Sequence, residues 1–192
     1  MHKVLTIVCS LILCAQSSFA RQTITVPDQF VVEQHWVSVA TSFAIESEKT
    51  ILGNLYRRFF SLQIVYELFD DNFNRLALTK GVFFNETAHF EVFEKNGIFI
   101  GYIREPMFVF FPSFEVFGKN KRIRLAKAVM NFWGTTFTIL DPATEREMAK
   151  MTRPFVRNNN NWTVTITNRT LFDRRAFDSN VLITAIAMQG DR

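Results

Sequence analysis

A repeat of 23 to 25 residues runs along most of the chain and constrains its fold more than any other feature. Each copy has an aromatic residue two positions before a β-branched residue or leucine, then a polar turn, then an aliphatic residue followed by a small one. The leading aromatic residues are Phe43, Tyr66, Phe90, Phe114, Phe137 and Trp162. The small residues are Gly53, Ala77, Gly101, Ala126 and Ala149. Because the two markers keep the same period independently, a repeated structural unit explains them better than chance.

Each copy is predicted to be a β-hairpin. Polar and apolar residues alternate on both arms, as in Phe90-Glu91-Val92, and a polar connection separates the arms. The connections contain the turn sequences Asp70-Asp71-Asn72, Lys95-Asn96-Gly97, Gly118-Lys119-Asn120 and Asp141-Pro142. Alternation places large apolar residues on the inner face of one arm and Gly or Ala on the inner face of the other. These small residues either leave space for another segment or only relieve crowding between neighbouring strands.

The C-terminal segment is the candidate for that space. Asp178-Ser179-Asn180 is a favourable helix start, and Val181 to Met188 is apolar on nearly every side. A helix of this kind is expected inside the protein, with Gly190 as its C-cap. A buried final strand is the alternative, because periodicity alone cannot assign a short apolar run.

The N-terminus has the features of a secretory signal. A positive start at His2 and Lys3 precedes an apolar run from Val4 to Ala15, and small residues precede a predicted cleavage site after Ala20. Cleavage leaves one domain, residues 21–192, that is secreted or periplasmic. Both cysteines, Cys9 and Cys14, leave with the signal, so the mature chain has no disulfide. Its net charge falls from +4 to +3 with the loss of Lys3, which is compatible with an anionic partner.

The sequence contains few groups suited to catalysis. The mature chain keeps only His35 and His89, which lack the spacing of a zinc motif and are both predicted to be ordinary solvent-facing side chains. Asp70, Asp71 and Asp141 lie in predicted turns, where capping explains them. We therefore expect no enzyme activity, no cofactor and no metal, and the modest charge and predicted export disfavour nucleic acid.

Several segments resemble the LURP-one-related group of the tubby C-terminal-like family. They are Phe90–Phe93 with Asn96-Gly97 and Ile100–Arg104, Phe137–Asp141 with Met148–Lys150, Trp162–Val164, and Leu182–Ile186. The resemblance implies a mainly β fold, a closed antiparallel barrel of about 12 strands (six hairpins) around the C-terminal apolar helix. Only Gln189 to Arg192 follow that helix, so the twelfth strand is very short, absent, or supplied by the segment around Phe30 to Val32.

The resemblance also implies a function, the binding of phospholipid headgroups or a partner at a membrane surface. The candidate lipid- or anion-binding residues lie at the fourth hairpin and are Lys119, Lys121, Arg122, Arg124 and Lys127. A solvated turn is the alternative interpretation of this basic run. A helix that fills the barrel leaves no internal site for a small molecule, so binding is expected on the outer wall or at the ends.

The connections between hairpins combine basic and aromatic residues. They contain Arg57-Arg58-Phe59-Phe60, Lys80 with Phe83-Phe84, Arg104 with Phe108-Phe110-Phe111, Lys127 with Phe132-Trp133, and Arg153 with Phe155. Such aromatics can insert into a bilayer surface, but the favoured interpretation is that they close the barrel end while the cations stay in water.

Three hypotheses about function follow. The first is an exported, non-enzymatic binding protein at an anionic membrane surface or on an envelope or host protein. The alternative is a structural or assembly protein of the cell envelope that acts through protein contacts. The third is an integral outer-membrane barrel, against which Glu91, Glu115 and Lys150 on the predicted outer face argue.

Overall fold

The repeated unit of the sequence forms antiparallel hairpins in a computed structural model of the chain. The structure describes residues 23–37, 40–48, 50–58, 63–84, 86–107, 109–155 and 161–191. The predicted signal segment, residues 1–20, and its cleavage site lie outside the described residues. Every strand and helix reported below lies within residues 21–192.

Twelve strands form one closed antiparallel barrel. Their bounds are β1 (Gln29–Val37), β2 (Ala40–Ser47), β3 (Thr50–Arg58), β4 (Val65–Phe69), β5 (Arg75–Phe84), β6 (Thr87–Glu94), β7 (Phe99–Pro106), β8 (Ser113–Phe117), β9 (Arg124–Met130), β10 (Thr136–Leu140), β11 (Glu147–Thr152) and β12 (Trp162–Ile166). Each strand pairs with the next one along the chain, and β12 pairs with β1. The expected fold class is confirmed.

The segment around Phe30 to Val32 supplies the strand that closes the barrel. It belongs to β1, which pairs with β12 so that Phe30 faces Val164 and Val32 faces Trp162. Of the three alternatives for the twelfth strand, the third is therefore correct. The sixth copy of the repeat has its outgoing arm in β12 and its returning arm at the other end of the chain.

A β-bulge at the same place in five hairpins explains the aliphatic-then-small signature of the repeat. In the hairpin of β6 and β7, Val92 faces Gly101 but Phe93 faces Phe99, so Ile100 is the extra residue. The equivalent extra residues are Leu52, Leu76, Leu125 and Met148. Because a bulge interrupts the alternation of faces, Ile100 and Gly101 are both buried although they are consecutive.

Gly101 shows why small residues recur on the inner wall. A Cβ atom at this position would lie 2.5 Å from the backbone oxygen of Phe117 on the neighbouring strand β8. It would also lie 3.1 Å from Cγ2 of Val181. The first contact is crowding between strands, and the second is space taken by the C-terminal segment. Both interpretations of the small residues therefore hold at Gly101.

The C-terminal segment is a helix, as predicted, and lies inside the barrel. Two α-helices follow β12, namely α1 (Arg169–Arg174) and α2 (Ser179–Ala187). The N-cap of α2 is Asp178, whose side chain accepts a hydrogen bond from the backbone N–H of Asn180 (3.1 Å). Residues 180–187 are all buried. The predicted C-cap at Gly190 is wrong, because the chain continues past α2 as a 3-10 helix, Met188–Asp191.

The two ends of the barrel are built differently. We call the end that carries the turns within hairpins the turn end, and the end that carries the links between hairpins the connection end. At the turn end, α1 and the segment before β1 add four residues to the core, namely Ile24, Val26, Leu171 and Phe172. At the connection end, Asp191 accepts hydrogen bonds from Arg57 (2.5 Å) and the Tyr66 hydroxyl (2.8 Å). In the described ranges, no helix is long and apolar enough to cross a bilayer.

Asp141 caps the turn between β10 and β11, as predicted. Its side chain accepts hydrogen bonds from the backbone N–H of Ala143 (3.2 Å) and the hydroxyl of Thr144 (2.6 Å), and it pairs with Arg175 just after α1. Burial alone would raise the pKa of Asp141, but these hydrogen bonds and the charge of Arg175 outweigh burial and hold the pKa below its usual range. The carboxylate therefore ties a hairpin turn to the C-terminal segment.

Replacement of Leu182 by alanine tests the packing of α2. Leu182 is fully buried, and removal of its methyl groups leaves a cavity, so we expect Leu182→Ala to lower the free energy of unfolding by about 2–5 kcal/mol. Denaturant titration followed by circular dichroism measures the change. Ile51→Ala is the control, because Ile51 is 48% exposed, and its effect should stay within about 0.5 kcal/mol. Equal effects of the two substitutions would contradict a buried α2.

Replacement of Asp141 by asparagine tests the link at the turn end. We expect Asp141→Asn to lower the free energy of unfolding by about 1–3 kcal/mol at pH 7, because Arg175 loses its partner. A depressed folded-state pKa means that the carboxylate stabilises the protein fully above its unfolded-state pKa of about 4 and less as the pH falls through the folded-state value. The difference between the two proteins should therefore shrink from pH 7 to pH 3 in urea titrations.

The matched control for this experiment is Asp71→Asn. Asp71 lies exposed in the turn between β4 and β5, where its side chain accepts a hydrogen bond from the neighbouring Asn72 side chain. Its replacement should change the free energy of unfolding by less than about 0.5 kcal/mol. A destabilisation by Asp141→Asn that is the same at pH 7 and pH 3 would rule out the ionised carboxylate as its cause.

Candidate functional site

Five large aromatic side chains are exposed at the connection end. They come from three successive links between hairpins and are Phe110 and Phe111, Phe132 and Trp133, and Phe155. Phe110 is 84% exposed and Trp133 is 66% exposed. We call these five residues the aromatic end. Exposed apolar groups that adjoin one another mark contact surfaces more often than scattered ones do.

The rings of the aromatic end form one continuous row. Ring centroids are 5.0 Å apart for Phe110 and Phe111, 6.4 Å for Phe111 and Phe132, 5.3 Å for Phe132 and Trp133, and 6.4 Å for Trp133 and Phe155. These distances lie within the range of favourable aromatic pairs. The row therefore joins three links that are separate in sequence into one apolar surface.

A tight turn presents Phe132 and Trp133 at the tip of their link. The side chain of Asn131 accepts hydrogen bonds from the backbone N–H groups of Thr135 (2.9 Å) and Thr136 (3.1 Å). Gly134 follows the two aromatic residues with a φ of +68°, which other residues rarely adopt. Local hydrogen bonds close the turn, so its stability does not depend on the two rings, which are exposed.

Arg153 also stabilises this turn through a hydrogen bond to its backbone. Its Nε donates a hydrogen bond to the backbone oxygen of Gly134 (2.9 Å), and its guanidinium lies 4.4 Å from the ring centroid of the buried Trp162. Arg153 is itself buried. The interpretation that the cations of the links stay in water is therefore wrong for Arg153.

The aromatic residues of these links do not close the barrel. All five residues of the aromatic end are exposed, whereas the connection end of the core is filled by the 3-10 helix after α2. The favoured interpretation of the sequence is wrong for these residues. Phe59, Phe60 and Phe108 lie outside the described residues.

Acidic residues are absent from the segments that carry the aromatic end. In residues 107–112, 131–135 and 153–155, the sequence contains no Asp or Glu, and Arg153 is the one charged residue. No carboxylate in these segments would have to lose water if the aromatic end entered an apolar or anionic surface.

The basic run of the fourth hairpin is partly neutralised. Its residues are Lys119, Lys121 and Arg122 in the turn between β8 and β9, and Arg124 and Lys127 on β9. Lys121 donates a hydrogen bond to Glu91 (2.6 Å), and its Nζ lies 4.7 Å from the ring centroid of Phe99. Arg124 pairs with Glu115. Two of the five cations are thus engaged with carboxylates, and the anion-binding role of the run stays a prediction.

The three remaining cations are Lys119, Arg122 and Lys127. All are exposed, and they have no ion pair with any residue that the structure describes. Lys127 faces Glu115 across the β8–β9 pair, but that carboxylate already binds Arg104 and Arg124. These three residues are therefore the part of the run that remains available to an anion.

Glu91 and Glu115 are not identified from the sequence as ion-pair partners of the basic run. The signal was present, because both residues follow the leading aromatic of their repeat and alternation puts both on the outer wall. The sequence does not show the strand register, which brings Glu91 on β6 next to Lys121 in the turn after β8. That contact joins residues 30 positions apart.

The turn that carries Lys119, Lys121 and Arg122 and the aromatic end lie at opposite ends of the barrel. The turn between β8 and β9 is at the turn end, whereas Phe132 and Trp133 follow the last residue of β9. β9 has 7 residues, so at about 3.3 Å per residue the two features are about 23 Å apart along the strand. A flat surface perpendicular to the barrel axis can contact one of them at a time.

A shallow cleft lies on the outer wall beside the basic run. It has a volume of about 440 Å³ and is lined by Val82, His89, Glu91, Tyr102 and Lys121. The ring of His89 stacks on Tyr102 with centroids 5.9 Å apart, and Tyr102 stacks on Phe117 at 4.4 Å. His89 is thus half-buried in an aromatic ladder and not an ordinary solvent-facing side chain.

The environment of His89 favours the neutral form of its ring. Burial, together with the nearby charges of Arg104 and Lys121, lowers the pKa of His89 against the opposing effect of Glu91. A neutral imidazole stacks on Tyr102 without the cost of burying a charge. This packing accounts for the lowered pKa of His89.

Comparison with known proteins shows a similarity of fold. No protein-family model matches the chain, and no curated protein matches it. The X-ray structure of the Arabidopsis thaliana protein AT5G01750, a LURP-one-related protein with a tubby-like fold, is similar at a TM-score of 0.57 and 12% sequence identity. The match covers 90% of this chain and 98% of that chain. What is shared is the barrel. The tubby-like fold that the sequence motifs imply is supported, and membership of the family stays a prediction.

Proposed function

We propose that this chain is an exported, non-enzymatic binding protein of the tubby-like, LURP-one-related type that docks on a membrane surface through its aromatic end. The observation that carries the proposal is the continuous row of five exposed rings at the connection end. Phe and Trp side chains are favourable in the layer between the lipid headgroups and the acyl chains.

The shape of the aromatic end favours a bilayer over a protein partner. The rings project from three separate links and form a row of loop tips, so a rigid partner would need a matching surface for each tip. A fluid lipid surface adapts to such a contour. The absence of Asp and Glu from these segments also suits contact with a bilayer.

The arrangement of the other polar groups supports a role in binding. The interior of the barrel is occupied by α2, so a substrate would have to bind outside it. On the outer wall, Glu67, Glu91 and Glu115 are held by Arg or Lys side chains. The secretory features of residues 1–20 support export.

A second mode of membrane binding uses the three available cations of the fourth hairpin. Lys119 and Arg122 lie in the turn at the turn end, and Lys127 lies midway along β9. Each cation near an anionic membrane contributes roughly 1 kcal/mol, and the attraction is screened by salt. This mode requires anionic lipid, whereas insertion of aromatic rings does not.

Vesicle binding tests the proposal and separates the two modes. Residues 21–192 contain every described strand and helix, so the experiment uses this chain without the apolar signal segment. We expect it to sediment with neutral phosphatidylcholine vesicles at 0.5 M salt. Phe132→Ser/Trp133→Ser should weaken this binding at least tenfold, because loss of one large buried aromatic group costs about 1.5–3 kcal/mol.

Two further variants serve as controls. Phe73→Ser replaces an aromatic residue that is 68% exposed but lies in a turn at the turn end, so vesicle binding should be unchanged. Lys119→Glu/Arg122→Glu/Lys127→Glu should also leave binding to neutral vesicles unchanged. If binding instead requires anionic lipid and disappears in the triple variant, the basic run and not the aromatic end is the membrane-binding site. Failure to bind any vesicle would overturn the proposal in favour of a protein partner.

A further inference from the structure

Three potential metal ligands converge on the outer wall of the first two strands. Glu33 and His35 lie on β1 and alternate with Val32 and Gln34, which are buried, so both point outward. Glu46 lies on β2 opposite Val31, diagonally across from Glu33. One carboxylate oxygen from each glutamate and one imidazole nitrogen lie within 4.8 Å of one another.

These two carboxylates differ from others on the outer wall of the barrel. Glu67 binds Arg58 and Arg75, and Glu115 binds Arg104 and Arg124. Within the ranges that the structure covers, Glu33 and Glu46 have no Arg or Lys partner, although the chain carries a net charge of +4. Like charges that are close to each other on neighbouring strands repel and favour a bound cation between them.

We propose that Glu33, His35 and Glu46 bind a divalent transition metal ion, Zn²⁺ in the first instance. Two carboxylate oxygens and one imidazole nitrogen form a ligand set that zinc accepts, with a fourth position left for water. The imidazole favours zinc over Mg²⁺, which prefers oxygen ligands and keeps much of its own water. His35 is exposed, so an ion reaches the site directly from solvent.

Binding requires a small contraction of the cluster. Zinc–ligand bonds of about 2.1 Å in a tetrahedron place the ligand atoms about 3.4 Å apart. The present separation of up to 4.8 Å must therefore close by about 1.4 Å. Rotation about the side-chain bonds of two partly exposed glutamates provides this movement, and the backbone of the β1–β2 pair can stay in place.

An ion at this site is expected to strengthen the attachment of β1 to β2. β1 is held to β12 by four residue pairs and to β2 by seven. An ion shared by Glu33, His35 and Glu46 adds a link between the closing strand and the body of the barrel. Because the site exists only when β1 and β2 are paired, ion binding favours the folded state.

Calorimetric titration of residues 21–192 with Zn²⁺ tests the site. This chain lacks His2, Cys9 and Cys14, whose side chains are of types that also bind zinc and would complicate the titration. We expect one ion per chain and a melting temperature that rises with added Zn²⁺ and not with equal Mg²⁺. His35→Ala should weaken zinc binding by at least tenfold, and Glu33→Gln/Glu46→Gln should do the same, because even outer groups of a zinc site contribute about 10–100-fold.

His89→Ala is the matched control, since it removes the other histidine of this chain from the outer wall at β6 and should leave zinc affinity unchanged. Circular dichroism confirms that each variant is folded before titration. Absence of zinc binding by the unmodified chain would overturn the proposal. Zinc binding that survives both His35→Ala and Glu33→Gln/Glu46→Gln, or that His89→Ala abolishes, would place the ion elsewhere and overturn it equally.

Discussion

The burial of α2 inside the barrel is the interaction on which the rest of the structure depends. A ring of twelve strands encloses a wide interior, and residues 180–187 fill it with mainly apolar side chains. At Gly101 the wall leaves room for the helix, because a Cβ atom there would lie 3.1 Å from Cγ2 of Val181. The core of this barrel is supplied by α2, which follows all twelve strands in the chain, so the fold is complete only when α2 is in place.

Because α2 occupies the interior, the surfaces that are open to a partner lie on the outside of the barrel. The outer wall carries cross-strand ion pairs, such as Glu115 with Arg104 and Arg124, and the stacked rings of His89, Tyr102 and Phe117. The ends differ, because α1 and the N-terminal segment cover the turn end, whereas loop tips with exposed rings project from the connection end. The asymmetry gives the barrel one apolar end and, about 23 Å away along β9, a basic turn.

The hairpins could be predicted from the sequence because their determinants are local. Alternation over a few residues and a polar turn define each hairpin. The aliphatic-then-small pair is also visible in the sequence, although its cause, the bulge at Ile100 and its equivalents, is visible only in the structure. The helical nature of Val181 to Met188 also followed from a local signal, the N-cap at Asp178. The end of that helix could not be predicted in the same way, because the surroundings of the 3-10 helix decide its conformation, including contacts of Asp191 with Arg57 and Tyr66.

The candidate sites depended on contacts between strands that the sequence does not encode locally. The basic run was recognised as a cluster of charges, but register decides which of its members meet a carboxylate, and Lys121 and Arg124 do. The aromatic residues of the links were recognised one link at a time, while closure of the barrel decides that three links stand side by side. Glu33 and His35 are two positions apart in sequence, and pairing of β1 with β2 brings Glu46 to them.

The sequence by itself therefore determined the repeating hairpin, the alternation of its faces and the apolar helix, because each follows from the chemistry of neighbouring residues. The tertiary structure alone decided how the ring closes through β1, which charges are neutralised, and which side chains share a surface. The physical reason is that register and closure are properties of paired strands. They are set when distant segments pack around α2, and no short stretch of the chain carries that information.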